Sequence, residues 1–281
     1  MAHSLSGNPR RHDFFHTRTR PQPRRRHRSV SGIGFELAKQ FAAHDFDLII
    51  AAEDDAIRAA AAELEGLGGT VEAVQVDLAG DGGVDELYRH ITAAGRPVEA
   101  MALNAGIGAG GAFATDTSLE DELRLIDLNV RSTVQLAKYV VRDMVDRNHG
   151  RILFTSSIAS TMPGAFQAVY NASKSFVQSF ALALRNELKD TEVTVTSLMP
   201  GPTETEFFER ADMLDTKVGA GDKDDPADVA RDGFEALMAG DERVVSASLA
   251  TRLQGHGSRL LPDGAKAALH RRMAKPGSAD R

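Results

Sequence analysis

The sequence predicts an α/β fold, a single domain on a doubly wound parallel sheet. Two observations carry this. From Ser31 onward, strand-like and helix-like segments alternate, and the strand-like ones are apolar. Apolar strands separated by helices argue for a parallel sheet covered on both faces. Right-handed crossovers then wind the fold and place a ligand at the carboxyl ends of the strands. No 20–50-residue repeat and no linker divides the chain.

The elements follow in order. Gly34 to Ala43 reads as a short amphipathic helix, and Phe46 to Ala52 as an apolar strand. Asp54 to Leu67 is an Ala-rich helix stopped by Gly68-Gly69. Val71 to Val76 alternates like a strand and ends at Asp77-Leu78; Val84 to Ala94 is a helix. Val98 to Leu103 is a strand ending in Asn104-Ala105-Gly106. Leu119 to Asp146 reads as one long helix, Arg151 to Ser156 as a strand, and Ala168 to Leu188 as a second long helix. Val193 to Leu198 is a strand running into Pro200-Gly201, and the loop 202–225 reads as mobile. Ala227 to Met238 is a helix, Arg243 to Ser246 a short last strand, and 248–281 a helical extension that frays.

Composition bounds the function. The 281 residues are enough for one large domain and thin for two. With no cysteine, disulfides, thiol nucleophiles and Cys-based metal sites are excluded, and a cytoplasmic setting is expected. No apolar run approaches the ~18 residues of a membrane helix. The net charge of −7 hides an asymmetry: residues 1–30 hold eight Arg and one Asp, so the remainder is strongly acidic. Such a body gives no reason to expect nucleic-acid binding.

Four features fall at strand ends or on adjoining helices. Tyr170 and Lys174 are four apart and share a helix face. A phenol is a poor base at neutral pH, and a neighbouring ammonium is expected to lower its pKa, making an acid/base pair. On an exposed helix the same spacing is a solvated pair. Ser157, in Thr155-Ser156-Ser157, offers a hydroxyl to a substrate oxygen, or caps a turn. Asn104-Ala105-Gly106 follows a buried strand, with Asn129 on the next helix either facing the crevice or satisfied within the core. Gly32-Ile33-Gly34 opens a helix whose free N–H groups suit a phosphate, or forms an ordinary turn.

As a set, these residues resemble the short-chain dehydrogenase/reductase family over about residues 31 to 246. The family's glycine turn reads T-G-x-x-x-G-x-G, Asn-Ala-Gly follows its fourth strand, and Asn, Ser, Tyr and Lys do its chemistry. The resemblance implies a Rossmann-like NAD(P)-binding domain over 31–247 that transfers a hydride between a nicotinamide and an alcohol or carbonyl carbon. Tyr170 would pass the proton, Ser157 would polarise the oxygen, Lys174 would also bind the nicotinamide ribose, and Asn129 would hold a relay water. Ser31, Gly32, Ile33 and Gly34 would meet the pyrophosphate, and Asp77 and Leu78 the adenine. Asn104, Ala105 and Gly106 would line the cofactor groove. Pro200, Gly201, Thr203 and Thr205 would hold the carboxamide. A homodimer or homotetramer through the two long helices is implied as well.

The second strand ends at Glu53-Asp54-Asp55. In this fold an acid there bonds the ribose 2′-OH, whereas a 2′-phosphate needs a basic neighbour. NAD is therefore expected, with Glu53 as its contact and NADP not excluded; such acids also stabilise a helix start. Met162, Phe166, Phe207, Phe208, Met213 and Leu214 fall where an apolar pocket and lid would form, hinting at a lipophilic substrate or simple packing. The rival reading is a non-catalytic scaffold of the same fold.

Where the family has an apolar central strand ending in Thr-Gly, this chain reads Arg20-Pro21-Gln22-Pro23-Arg24-Arg25-Arg26-His27-Arg28. Burying unpaired guanidiniums is costly, and proline does not belong in a central strand. Three readings compete for residues 1–30: a targeting segment, though no apolar stretch follows its arginines; a nucleic-acid or membrane-binding arm; and a reading-frame slip. Arg24 to Arg28 can be written CGC CGT CGT CAC CGG, which one base later reads Ala-Val-Val-Thr-Gly, the missing strand and turn. A chain made as written is expected to bind cofactor weakly and to be poorly stable.

Overall fold

The computed structural model describes residues 32–247 and 261–279. The Arg-rich segment 1–30, Ser31 and residues 248–260 lie outside the described residues.

Gly32 opens helix α1 (Ile33–Ala43) with φ 106°, a conformation only glycine takes easily. Phe35, Leu37, Phe41 and Ala42 form its buried side. Strand β1 (Leu48–Ala52), helix α2 (Ile57–Glu65) and strand β2 (Val71–Gln75) follow. Helix α3 (Gly83–Ala93) leads to strand β3 (Ala100–Leu103). The expected long helix is in fact three pieces: α4 (Leu119–Ile126), a π-helical stretch (Asp127–Ser132) and α5 (Thr133–Asp146). Ser118 caps α4 by accepting from the Asp121 N–H at 3.0 Å. Strand β4 (Gly150–Thr155), a 3₁₀ turn (Ile158–Thr161), helix α6 (Ala168–Glu187) and strand β5 (Val193–Pro200) make the centre of the second half.

The segment 202–225 is not the bare loop its composition suggests. It carries α7 (Phe207–Arg210) and α8 (Lys217–Ala220), and it buries Phe208, Met213 and Thr216. Helix α9 (Pro226–Ala239) starts with Asp225 as cap and Pro226 in its first turn, and stops at Gly240, φ 73°. Strand β6 (Arg243–Ser246) and helix α10 (Asp263–Ala274) complete the described chain. The expected fraying after α10 is not seen through residue 279: Gly277 N–H bonds the Asp215 carboxylate at 2.8 Å and Ala279 N–H the Asp215 carbonyl at 2.9 Å.

All strand pairs are parallel, as expected, but the described strands form two sheets. β1 pairs with β2, Leu48 opposite Val71 through Ala52 opposite Gln75. The other sheet runs β3-β4-β5-β6, with Ala100 opposite Arg151 and Gly150 opposite Val193. Among the described residues β1 and β3 each have one unpaired edge. Every residue of β1 and β3 is only half-buried, whereas β4 and β5 are mostly buried.

Helices tie the two sheets into one doubly wound body. On one side, α1 packs Leu37 and Phe41 against Leu153, Leu198 and α9, and Phe35 and Ala42 against α2. On the other, Leu87 and Ile91 of α3 share a core with Leu136, Val140 and Met144 of α5. Strand side chains alternate between these layers: Leu48 and Ile50 face α1 and α2, while Ile49 and Ala51 join the α3–α5 core. No helix among the described residues is long and apolar enough to cross a membrane.

Candidate active site

A cavity of about 1110 Å³ opens at the carboxyl ends of the strands. Tyr170 and Lys174, one turn apart on α6, both line it and are both buried. The solvated-pair reading therefore fails. Lys174 Nζ donates to the Thr155 carbonyl at 2.9 Å and lies 6.0 Å from the centre of the Tyr170 ring. The expected drop in the Tyr170 pKa is absent. Burial pushes the phenol up to about 12, and its interaction with Ser157 only partly opposes this. Burial also lowers the Lys174 ammonium to about 8. With the amine's hydrogen bond directed at a carbonyl, dehydration outweighs attraction between the two groups.

Ser157 lines the same cavity at the end of β4. Its hydroxyl oxygen accepts from the Ala159 N–H at 3.1 Å, capping the 3₁₀ turn, and the same hydroxyl interacts with that of Tyr170, so the two face one point of the cavity. Asn129 does not line the cavity. It sits in the π-helical stretch, almost fully buried, and its amide clamps a neighbouring loop. Oδ1 accepts from the Ile107 N–H at 2.9 Å; Nδ2 donates to the Ile107 carbonyl at 2.9 Å and to Ser173 Oγ at 3.0 Å. Both amide protons are thus used, and one lone pair on Oδ1 is left for a relay water.

The remaining expected contacts also come together. Gly32, Ile33, Gly34, Glu53, Asp77, Leu78, Asn104, Ala105, Gly106, Pro200, Gly201, Thr203 and Thr205 line this cavity; Ser31 falls outside the described residues. The α1 N-terminus has no side-chain cap, so its first N–H groups are available to an anion. Gly34 is pressed against Asn104: a Cβ there would stand 2.6 Å from Asn104 Nδ2. At Gly106 a Cβ would stand 3.2 Å from Lys174 Nζ and 3.3 Å from Asn129 Oδ1. A Cβ at Gly32 would stand 3.8 Å from the Thr205 methyl, so the glycine turn lies beside the segment after β5. A narrow glycine floor beside an uncapped helix end fits a dinucleotide pyrophosphate.

Arg124, on α4, adds a residue that the sequence pattern does not mark. It donates to Glu53 Oε2 at 2.6 Å and to Asp77 Oδ2 at 3.0 Å, bridging the two acids expected at the adenosine end. For Asp77, burial raises the carboxyl, but Arg124 and the Ala79 N–H outweigh it and hold the group below its ordinary value. Nothing in the local sequence around 124 signals this; it needs α4 laid across the ends of β1 and β2. Among the expected pocket residues, Met162, Phe207 and Phe208 line the cavity, and the Phe207 ring lies 5.0 Å from that of Tyr170. Phe166 and Met213 instead pack beside α10 in the cluster around Phe208, and Leu214 is exposed. His270 and Met273 of α10 also line the cavity, with His270 Nδ1 2.9 Å from the Ala165 carbonyl.

The short chain dehydrogenase family matches residues 29–213. An uncharacterised short-chain type dehydrogenase/reductase of Sinorhizobium fredii is 35% identical over 64% of this chain and 69% of that protein. The NADP-dependent 3-hydroxy acid dehydrogenase YdfG of Escherichia coli is 35% identical over 48% of this chain; the match spans 54% of that enzyme's length. A short-chain dehydrogenase from Sphingobium yanoikuyae, solved in complex with NADPH, superposes with a TM-score of 0.71 at 26% identity, covering 87% of this chain and 93% of that one.

Proposed function

The chain belongs to the short-chain dehydrogenase/reductase family of oxidoreductases, and from that premise we propose that it moves a hydride between a nicotinamide cofactor and an alcohol or carbonyl substrate, with Tyr170 moving the proton. The observation that carries this is the placement of Tyr170, Lys174 and Ser157 on one cavity at the strand ends.

When bound, the nicotinamide supplies hydride for reduction and takes it in oxidation. The protein's residues handle the oxygen. In reduction, the Ser157 hydroxyl turns from Tyr170 to donate to the substrate carbonyl and polarises it. As the carbon gains hydride, the C=O π pair moves to oxygen and takes the Tyr170 proton. The phenolate left behind is stabilised by the Lys174 ammonium. Reprotonation runs past Lys174 to a water on the remaining lone pair of Asn129 Oδ1. A phenol held near 12 is protonated at neutral pH, the state that reduction requires of its proton donor.

The uncapped start of α1 at Gly32, Ile33 and Gly34 would hold the pyrophosphate, and Glu53 the ribose hydroxyls of NAD(H). NADP(H) is the second reading. Arg124 supplies the cation a 2′-phosphate needs, and YdfG is NADP-dependent. Phe207 over Tyr170, with Met162 and Phe208, supports an apolar substrate. Leu119, Leu123 and Ile126 stand exposed at helical spacing on α4, with Phe176 exposed on α6, and support a homo-oligomer. A substrate panel followed by reduced-cofactor absorbance, with NADH and NADPH in parallel, tests the function. Substrate-dependent loss of absorbance supports it, and binding of neither cofactor would favour a non-catalytic scaffold.

A further inference from the structure

The cavity does not stop at the strand ends. It continues as a slot between β1 and β3, lined along its length by Leu48 through Ala52 on one side and Ala100 through Leu103 on the other. Both edges carry backbone N–H and C=O groups with no ladder partner among the described residues. In a sheet covered on both faces such groups must be paired. Both strands are half-buried, whereas β4 and β5, in the middle of the larger sheet, are mostly buried. At the foot of the slot Arg96, just before β3, reaches Asp47, just before β1, at 2.5 Å.

The walls define the occupant. One face of the slot shows Leu37 and Phe41 of α1; the other shows Leu87 and Ile91 of α3 and Leu136 of α5. A strand lying there sends alternate side chains into two apolar layers, so it must be apolar at consecutive positions, not at every second one. It must also be parallel to β1 and β3 and leave at the carboxyl end, where Gly32 already begins α1. That fixes its place in the chain: the few residues immediately before the glycine turn. Four or five residues match the lengths of β3 and β1. Arg24-Arg25-Arg26-His27-Arg28, as written, does not meet these demands, since β1, β3 and the helix residues Leu37, Phe41, Leu87, Ile91 and Leu136 that wall the slot are all apolar and offer a guanidinium no partner.

We propose that the slot between β1 and β3 is the seat of a parallel, continuously apolar strand directly preceding the glycine turn, and that Ala-Val-Val-Thr-Gly, the one-base-shifted reading of positions 24–28, is that strand. It supplies small and β-branched side chains to both layers, pairs both open edges, and ends in a Thr-Gly that leads into Gly32. The physical need for this strand is independent of the redox reading: it would hold for a scaffold with the same walls.

The test compares three proteins of full length: the chain as written; R24A/R25V/R26V/H27T/R28G; and a control, R24S/R25S/R26S/H27T/R28G, that removes the same charges without supplying apolar side chains. Hydrogen exchange of the amides in 48–52 and 100–103 reads closure of the slot directly, without any cofactor or substrate. The apolar variant is expected to slow exchange there at least tenfold relative to both other proteins and to raise the thermal midpoint. A chain as written that proves unfolded beside a folded apolar variant would support the same conclusion. Equal protection in the chain as written, equal gains in the serine control, or an apolar variant that is unfolded while the chain as written is folded would overturn it. Genomic sequence with an uninterrupted frame through codons 24–31, together with a peptide spanning them, would overturn the assignment of the strand. Exchange reads the slot and turnover reads the chemistry, so failure of one leaves the other standing.

Discussion

Lys174 spends its hydrogen bond on the Thr155 carbonyl, at 2.9 Å, and so stands beside the Tyr170 ring without touching its hydroxyl. This tether fixes the amine between α6 and the end of β4. The charge acts on the phenol across space, and its effect depends on how much water the cavity excludes. Activity predictions below refer to the background R24A/R25V/R26V/H27T/R28G, in which the sheet is expected to be closed.

Carbonyl reduction needs the Tyr170 proton and the Lys174 charge together. The phenol keeps its proton to about pH 12 and the amine to about pH 8. Below pH 8 both are in place. As pH rises through 8 the ammonium is lost while the phenol is still protonated, so the limiting group is the amine. The kcat for reduction is therefore expected to fall above about pH 8, and K174M, read in the same pH profile, to remove that limb and lower kcat roughly 10²-fold.

Cofactor choice turns on Arg124, held between Glu53 and Asp77. Glu53→Gln removes a charge that repels a 2′-phosphate and frees Arg124 to meet it. NADPH affinity is expected to rise about tenfold, ~1.4 kcal/mol, with NADH little changed. Arg124→Gln is expected to weaken NADPH more than NADH. Titration calorimetry with both cofactors reads the two ratios; parallel changes for NADH and NADPH would move the adenosine site away from these residues.

Asn129→Ala leaves the Ile107 N–H and carbonyl without their partners in a buried setting. A loss of about 1–3 kcal/mol per unsatisfied group is expected in urea unfolding, together with a lower kcat as the 104–107 loop loosens against Lys174. Asn129→Asp keeps one acceptor for the Ile107 N–H and should restore part of the stability.

The sequence made most of this legible where local pattern and global fold agree. The apolar runs of β1, β3 and β4 read as strands of a sheet covered on both faces, and the four-residue spacing of Tyr170 and Lys174 as one helix face. What stayed hidden depends on distance in sequence. Arg124 reaches Glu53 across 71 residues and Asp77 across 47, and no local signal marks either contact. The break at Asp127–Ser132 is not legible because the stretch holds no glycine or proline to mark it. Charge proximity alone predicts a lowered phenol; burial, which spacing does not reveal, reverses the sign. Segment 202–225 looked polar and loose, yet Phe208 and Met213 fold it onto α10.

The central claim is that Tyr170 moves the proton during hydride transfer, and Tyr170→Phe isolates it by removing one oxygen from a ring that keeps its packing against Phe207. The most direct measurement is kcat/KM for the best substrate of the panel, with cofactor affinity measured alongside. A fall of about 10²–10⁴-fold with cofactor affinity unchanged is the expected result. Turnover that survives the loss of that hydroxyl would contradict the assignment.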